Sequence, residues 1–125
     1  MTEAQEQWQR CKPWIEAALK HSPGFETIED VERLVAAGSY QFWQSDECAA
    51  ITELCNYAQR KVLNVVHGGG DLTSLLDVLE PQMAAYAQAN GCDGIMGTGR
   101  KGWERPSEKR GYRFACIVMI KDLQQ

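Results

Sequence analysis

Three consecutive glycines, Gly68 to Gly70, separate an apolar run from a leucine-rich helical pattern. The run KVLNVVH, residues 61 to 67, is rich in β-branched residues and predicts a strand. Beyond the glycines, apolar side chains recur with helical spacing at Leu72, Leu75, Leu76, Leu79, Met83, Tyr86 and Ala87. A strand therefore leads directly into a helix through residues that permit a tight turn.

This junction between strand and helix has two interpretations. Its backbone N–H groups could bind an anion, because the first N–H groups of a helix lack internal partners and the helix dipole favours negative charge there. The donors would be Gly69, Gly70, Leu72 and Thr73. Alternatively, the glycines form only a flexible turn and Asp71 caps the helix. The Walker and Rossmann patterns are both absent, since no Gly-Lys-Ser/Thr follows and position 73 is not glycine.

The residues before this strand predict two helices and two further strands. Pro13 is interpreted as the first residue of a helix that ends near His21, while a helix in the polar residues 2–12 is left open. A second helix follows the Thr27–Asp30 capping pattern and ends at Gly38. SYQFWQ and ECAAITELC alternate with period two and are joined to KVLNVVH by short connections. The three strands are therefore expected to form an antiparallel meander.

The residues after the glycines predict a long helix and two more strands. Pro81 should break or kink the helix near Leu79, and Gly91 should end it. GIMGTG is a short strand, expected parallel to KVLNVV, and KGWERPSEKRG is a charged loop or short helix. RFACIVMIK is apolar on both faces, so it is expected inside a sheet covered on both sides. The sum is a single α+β domain over residues 1–125, which some schemes would class as α/β.

Composition narrows the class of protein. The formal net charge of -4 argues against a general polyanion binder, although residues 99–113 carry six positive and two negative side chains. Nucleic-acid binding is therefore not expected. We find no run long enough to span a bilayer and no signal peptide. Five cysteines without close pairs indicate reduced thiols in the cytoplasm and no zinc site, and Cys48 and Cys116 are expected in the core.

From residue 13 to 122 the order of elements resembles the GNAT superfamily of acetyl-CoA-dependent N-acetyltransferases. In that family a helix pair and a meander precede a glycine-containing loop, a long helix and a strand that splays from its neighbour. A short helix ending in Gly-Phe or Gly-Tyr then precedes a terminal strand, as in KGWERPSEKRGY followed by FACIVMIK. The resemblance implies a mixed sheet and binding of acetyl-CoA or coenzyme A, with its pyrophosphate on the loop amides.

Carried onto this sequence, the resemblance gives a set of candidate site residues. The cofactor-binding candidates are Val66, His67, Gly68, Gly69, Gly70, Asp71, Leu72, Thr73, Arg100 and Lys101. His67 and Glu53 are the candidate bases for removing a proton from the amine. Their alternative roles are structural: a solvent-facing residue at a strand end for His67, and the exposed face of a strand for Glu53. The family often places a tyrosine acid where this chain has Ser107, Glu108 and Lys109.

A narrower resemblance comes from Gly99-Arg100-Lys101-Gly102-Trp103, which is similar to a motif of small GNAT-like proteins of bacteriophages and prophages. It implies a phage or prophage origin, in the host cytoplasm or associated with the virion. Trp103 is interpreted as a core residue, with cover for a ligand as the alternative. Two functions remain open: transfer of an acyl group to an unidentified small-molecule or protein amine, or an inactive accessory or virion protein. Phage proteins or a second copy of the chain are the partners expected.

Overall fold

A four-stranded mixed sheet forms the centre of the protein. The computed structural model describes residues 1–123. The strands are β1 (Gln41–Gln44), β2 (Cys48–Asn56), β3 (Lys61–Gly70) and β4 (Gly94–Gly97), and they lie in that order across the sheet. The β1–β2 and β2–β3 pairs are antiparallel, whereas β3 and β4 are parallel. The predicted meander and the predicted parallel pair are both confirmed.

Helices cover both faces of this sheet. On one face lie α1 (Glu3–Leu19) and α2 (Ile28–Ala36), and the other face is covered by a long helix in three parts. These parts are α3 (Leu72–Ser74), a π-helical segment (Leu75–Leu79) and α4 (Glu80–Ala89). A 3₁₀ turn (Lys101–Trp103) and α5 (Glu104–Glu108) follow β4.

Two apolar cores result from the alternation of side chains along β2. Cys48 and Ala50 face the long helix, in a buried cluster with Leu63, Leu75, Leu76, Leu79, Met83 and Ala87. Ala49 and Ile51 face the other way, in a buried cluster with Cys11, Ile15 and Val31. Successive side chains of a strand point to opposite faces, so one strand contributes to both cores. The predicted α+β class is confirmed.

The first helix begins ten residues earlier than predicted. It starts at Glu3 behind a capping box between Thr2 and Gln5, and it continues through Pro13. A proline inside a helix loses one backbone hydrogen bond, and here packing on both sides of it compensates. Trp8, five residues before Pro13, donates to Glu32 at 2.7 Å and packs edge-on against Phe42. The polar residues 2–12, for which the sequence did not decide between helix and coil, are therefore helical from Glu3 onward because one face of this helix is packed.

A break or kink was predicted near Leu79 to Pro81, and the helix is irregular there without being broken, because residues 75–79 form a π turn and α4 follows directly. The N–H of Glu80 donates to the carbonyl of Leu75, five residues back, whereas an α-helix would use the residue four back. Pro81 then lies in the first turn of α4, where its missing N–H matters least. The long helix thus absorbs its proline by widening one turn.

The prediction of a buried final strand is wrong for the described residues. After α5, residues 113–123 form neither helix nor paired strand. Cys116, expected in the core, is exposed, whereas Cys48 is buried as expected. The backbone of a strand finds its hydrogen-bond partners on a neighbouring strand, and no strand of the described chain pairs with this segment. Apolar composition alone therefore did not fix its position.

The helix α5 is fastened to the π-helical segment. Arg110, just beyond α5, donates to both carboxylate oxygens of Asp77, at 2.8 and 3.2 Å, and this pair lowers the pKa of Asp77. Tyr112 follows and is half-buried, and burial together with the charge of Glu80 raises its pKa. Burial also raises the pKa of Glu80. The long helix and the C-terminal part of the chain therefore meet around Glu80, and burial at this contact favours the uncharged form of its carboxyl group.

We expect Glu80→Gln to stabilise the protein at neutral pH. The raised pKa of Glu80 means that the folded protein binds its proton more tightly than the unfolded chain does. Stability of the wild type should therefore fall as pH rises from about 4.3, the ordinary value for glutamate, through the folded pKa. Thermal melts from pH 3.5 to 8 should show the gain of Glu80→Gln growing over that window. Glu16→Gln, at an exposed position in the interior of α1, should show no such trend, and a gain that is constant with pH would contradict the assignment.

Candidate functional site

The pairing between β3 and β4 ends before β3 does. The last register pair is Val65 with Gly97, yet β3 continues to Gly70 alongside β2. Over its last residues β3 therefore has a paired neighbour on one side only, because β4 has already ended. The sheet opens here, at the carboxyl ends of two parallel strands, which is where α/β sheets most often place ligands.

A β-bulge lies at this opening. Ile51 is opposite His67 and Thr52 is opposite Val65, so Val66 has no partner on β2. Val65 packs against the core under the long helix, whereas Val66 packs against the core under α1 and α2. In a regular strand, residues 65 to 67 would alternate strictly, and His67 would lie on the same face as Val65. The bulge turns His67 to the face of α1 and α2, and bulges often re-aim side chains in this way beside active sites.

The re-aimed His67 belongs to a buried hydrogen-bonded cluster. Its Nε2 lies 2.5 Å from Oε2 of Glu26, and their side chains are only 5 % and 12 % exposed. The hydroxyl of Tyr40 donates to the same carboxylate, at 2.8 Å from Oε1. Burial and, next, the bond to Glu26 raise the pKa of Tyr40, so this hydroxyl keeps its proton. Glu26 therefore accepts from two sides, and it fixes the orientation of the imidazole.

Glu53, the other candidate base, lies on the same side of the sheet. Asn64 donates to its Oε1 at 3.3 Å from across the β2–β3 pair. Its charge contributes to the raised pKa of Tyr40, after the contributions of burial and of Glu26. Glu53 therefore lies near the cluster of His67, Glu26 and Tyr40, but no hydrogen bond joins it to His67 in the described part of the chain.

The glycines belong to the strand and are not a free loop. Gly68, Gly69 and Gly70 lie opposite Ala50, Ala49 and Cys48 in the β2–β3 register. A Cβ on Gly69 would lie 2.3 Å from the carbonyl oxygen of Trp14 in α1. The absent side chain lets the helix rest directly on the strand. The first requirement for glycine here is therefore close packing.

The neighbouring glycines are constrained as tightly. Gly70 has a φ of +89°, and a Cβ there would lie 2.4 Å from the carbonyl oxygen of Glu47. Gly68 faces Trp103, whose ring a Cβ would approach to 2.7 Å. Trp103 itself packs against the core under the long helix, as its interpretation as a core residue expected. It covers the strand at the point where β4 has ended.

Two carboxylates surround the start of the long helix. Asp71 is the N-cap, since its Oδ2 accepts from the N–H of Ser74 at 2.8 Å, which confirms the predicted cap. The Ser74 hydroxyl donates to Oε2 of Glu47 at 3.1 Å. Of the first-turn donors, the N–H groups of Leu72 and Thr73 remain for other acceptors. An anion bound to them would lie close to negative charge.

The two cationic candidates follow β4. Arg100 is exposed, and its Nη1 lies 3.3 Å from Nε2 of His21, near the end of α1. Lys101 begins the 3₁₀ turn and is also exposed. The structure therefore brings Arg100 next to the end of α1, on the far side of the opening from the long helix. Both side chains can move toward a phosphate without losing a buried contact.

An open groove borders the cluster. It has a volume of about 280 Å³ and lies between the end of α1 and the start of α2, lined by Glu16, Leu19, Lys20, Glu26, Thr27 and Ile28. Glu26 thus contacts His67 on one side and the groove on the other. Within residues 1–123, no group of three or more side chains is arranged to bind a metal ion. Over the same residues, no helix combines the length and the apolar character needed to cross a membrane.

Sequence reasoning found His67 but missed Glu26 and Tyr40. Glu26 lies 41 residues from His67 and 14 from Tyr40, in the connection between α1 and α2. Neither residue belongs to a motif, and no local pattern joins them. The bulge turns His67 toward Glu26 and Tyr40, so predicting it would have indicated the cluster. A bulge adds only one residue to an apolar run, and the sequence does not show which residue that is.

Solved structures resemble this protein in fold, whereas comparison of its sequence with family models and with curated proteins gives no match. Among solved structures, an acetyltransferase of Trypanosoma brucei superposes with a TM-score of 0.66 at 12 % identity, covering 98 % of this chain and 96 % of the other. A probable acetyltransferase superposes with a TM-score of 0.65 at 9 % identity, with coverages of 96 % and 93 %.

Not all similar structures carry that name. A protein of Thermus thermophilus has a TM-score of 0.63 at 13 % identity, with coverages of 97 % and 94 %. A transcriptional regulator of Bacillus halodurans has a TM-score of 0.57 at 11 % identity, with coverages of 98 % and 96 %. Identities this low bear on the fold alone. The chain therefore has a GNAT-like, acetyltransferase-type fold.

Proposed function

We propose that this chain is an acetyl-CoA-dependent N-acyltransferase that acts on an amine. The observation that carries the proposal is the buried His67–Glu26 pair, which a bulge aims to one face of the sheet where β3 outlasts β4. A histidine held by a carboxylate is the arrangement expected of a general base. It lies at the opening where the fold would admit a cofactor arm.

The chain's residues divide the work of amide formation. Bound acetyl-CoA supplies an acetyl group activated as a thioester. In the tautomer that donates from Nε2 to Glu26, the imidazole of His67 has its free lone pair on Nδ1. That lone pair would take the proton that the amine nitrogen loses as it bonds to the acetyl carbon, and the carbon–sulfur bond would break with its electron pair leaving on the coenzyme A thiolate. Backbone N–H groups at the end of β3 polarise the thioester carbonyl.

The groove beside Glu26 is the proposed path for the amine. It opens between α1 and α2, and its lining includes the carboxylates of Glu16 and Glu26 and the ammonium group of Lys20. The two carboxylates outnumber the one cation, so a positively charged amine is attracted to this lining before it loses its proton. Glu53, whose charge acts on Tyr40, would keep the same face negative. The acceptor is thus expected to be a cationic amine, on a small molecule or on a protein.

The cofactor is expected to lie along the residues from Val66 to Thr73. The N–H groups of Leu72 and Thr73 suit a pyrophosphate, and Arg100 and Lys101 can add positive charge from the other side of the opening. Asp71 opposes this binding with its own charge. The affinity for coenzyme A therefore depends on the N–H groups and cations, which favour the pyrophosphate, and on Asp71, which opposes it.

Asp71→Asn should tighten the binding of coenzyme A by about two- to five-fold, the usual effect of one charge at a helix N-terminus. Asparagine keeps the cap while it removes the negative charge. Isothermal titration of wild type and variant with coenzyme A and acetyl-CoA would measure the change. The exposed Glu29→Gln, elsewhere on the surface, should bind like the wild type. Absence of binding by the wild type at millimolar ligand would overturn the proposal.

A second candidate function is a GNAT-like protein without catalysis, such as a phage accessory or virion protein. The observation that favours it is the pair of carboxylates, Asp71 and Glu47, beside the proposed pyrophosphate site. The absence of a tyrosine acid among residues 107–109 points the same way. The motif from Gly99 to Trp103 supports the phage type only by resemblance. A wild type that binds no coenzyme A in the titration above would favour this second function, whereas acetyl transfer by the wild type would exclude it.

A further inference from the structure

The C-terminal apolar segment, residues 114–120 (FACIVMI), is uncovered. It follows α5 and forms neither a helix nor a paired strand. Ile117 is 72 % exposed and Met119 is 83 % exposed, and Phe114, Val118 and Ile120 are also exposed. The exposed side chains include consecutive residues, so neither side of the segment rests on the body of the chain. A run of large apolar residues left in water on all sides is an interaction surface.

The sheet has a free edge that suits such a run. β4 is the last strand in the order, and no described strand pairs with its outer side. Its Ile95 is only partly buried, and Met96 is 37 % exposed. The opposite edge, β1, lies beside α1, where Arg10 donates to Gln44 at 2.6 Å. The outer side of β4 is therefore the better site for an added strand.

The start of the segment is fixed to the body of its own chain. Arg110 is bound to Asp77, and Tyr112 is half-buried beside Glu80. The residues that follow leave this anchor and extend into solvent without pairing with their own β4 edge. Each chain thus presents an uncovered strand-type segment and, on the outer side of β4, an edge that no described strand pairs with. Two such chains can each add their segment to the β4 edge of the other, and the two-fold symmetry of this exchange gives a closed dimer.

We propose that the protein is a dimer in which the C-terminal apolar segment of each copy pairs with the outer edge of β4 in the other. The pairing adds a strand to each sheet through backbone hydrogen bonds, and the apolar side chains cover Ile95 and Met96 of the second copy. The β-branched residues Ile117 and Val118 favour the strand conformation. The exchange extends the sheet past β4, on the side away from β3, so the proposal is independent of the proposed catalysis.

Light scattering on the eluting full-length protein tests the stoichiometry. The chain mass is 14.0 kDa, and the wild type should elute at about twice that mass at high micromolar concentration. Ile117→Pro and Val118→Pro each remove one N–H, and in a paired strand these two N–H groups point to opposite sides. At least one of the two variants should therefore be monomeric. Ile117→Val and Val118→Thr keep strand-forming side chains and should remain dimeric.

Hydrogen exchange then distinguishes exchange between copies from folding back onto the same chain. The amides of residues 114–120 should be protected in the dimer and should lose protection on dilution to the monomer. A monomeric wild type, or protection that persists in the monomer, would overturn the proposal. Dimers formed by both proline variants would also overturn it, because they would place the interface on another surface.

Discussion

Gly69→Ala should lose at least about 3 kcal/mol of stability, the upper part of the usual range for forcing extra volume into a packed interior. The new methyl carbon would lie 2.3 Å from the carbonyl oxygen of Trp14, and the obstacle is helix backbone that no rotamer change can move. The whole of α1 would have to rise from the sheet. With total stabilities of about 5–15 kcal/mol, such a loss is a large fraction of the folded state's margin.

Chemical denaturation of Gly69→Ala beside Gly102→Ala would measure this loss. A Cβ on Gly102 meets nothing within 4 Å, so that variant should change stability by less than about 1 kcal/mol. Equal stability of the two variants would show that α1 does not rest on Gly69. Loss of cofactor binding in Gly69→Ala would by itself say nothing about phosphate contacts, since the fold is expected to fail first.

His67→Gln should lower kcat for acetyl transfer by about 100- to 10,000-fold, the range usual for removal of a general base. The amide can still donate to Glu26, but it cannot take a proton from an ammonium group. KM for acetyl-CoA should change little, because the imidazole is directed to the face of α1 and α2. The variant should also remain folded, since glutamine is close to histidine in size.

The same assay on Glu26→Gln separates the base from the residue that holds it. Glutamine keeps a hydrogen-bond acceptor but removes the charge that stabilises a protonated imidazole, so kcat should fall less than in His67→Gln. Glu29→Gln, an exposed carboxylate on α2, is the matched control and should act like the wild type. A His67→Gln variant as active as the wild type would remove His67 from the mechanism and leave Glu53 as the candidate base.

The elements with strong periodicity were predictable from the sequence. Strand β3 and the helix behind the glycines follow from the spacing of their apolar residues, and the parallel pairing of β4 was expected from the order strand, helix, strand. The irregularity before Pro81 follows from the chemistry of proline. The extent of α1 did not follow, because Pro13 suggested a helix start and the packing of Trp8 against Phe42 is a contact across 34 residues.

The site was predictable only in part. His67 was identified from its place at a strand end, but the direction of its side chain depends on a bulge that the sequence does not mark. Glu26 lies in a connection with no motif, and only the folded chain brings it to His67. The last apolar run was predicted to be a buried strand, and this is wrong for the described residues, because strand pairing is a non-local property that composition does not determine.

The widened turn before Pro81 also determines which way α4 faces. In an uninterrupted α-helix, residues 12 apart are rotated by about 120°, so Leu75 and Ala87 would point in different directions. One extra residue in the π-helical segment offsets about 100° of that rotation and leaves roughly 20°. Both residues are in fact buried in the same core. The π-helical segment therefore corrects the rotation of the helix. Apolar residues spaced four apart, from Leu75 to Ala87, consequently all face the sheet.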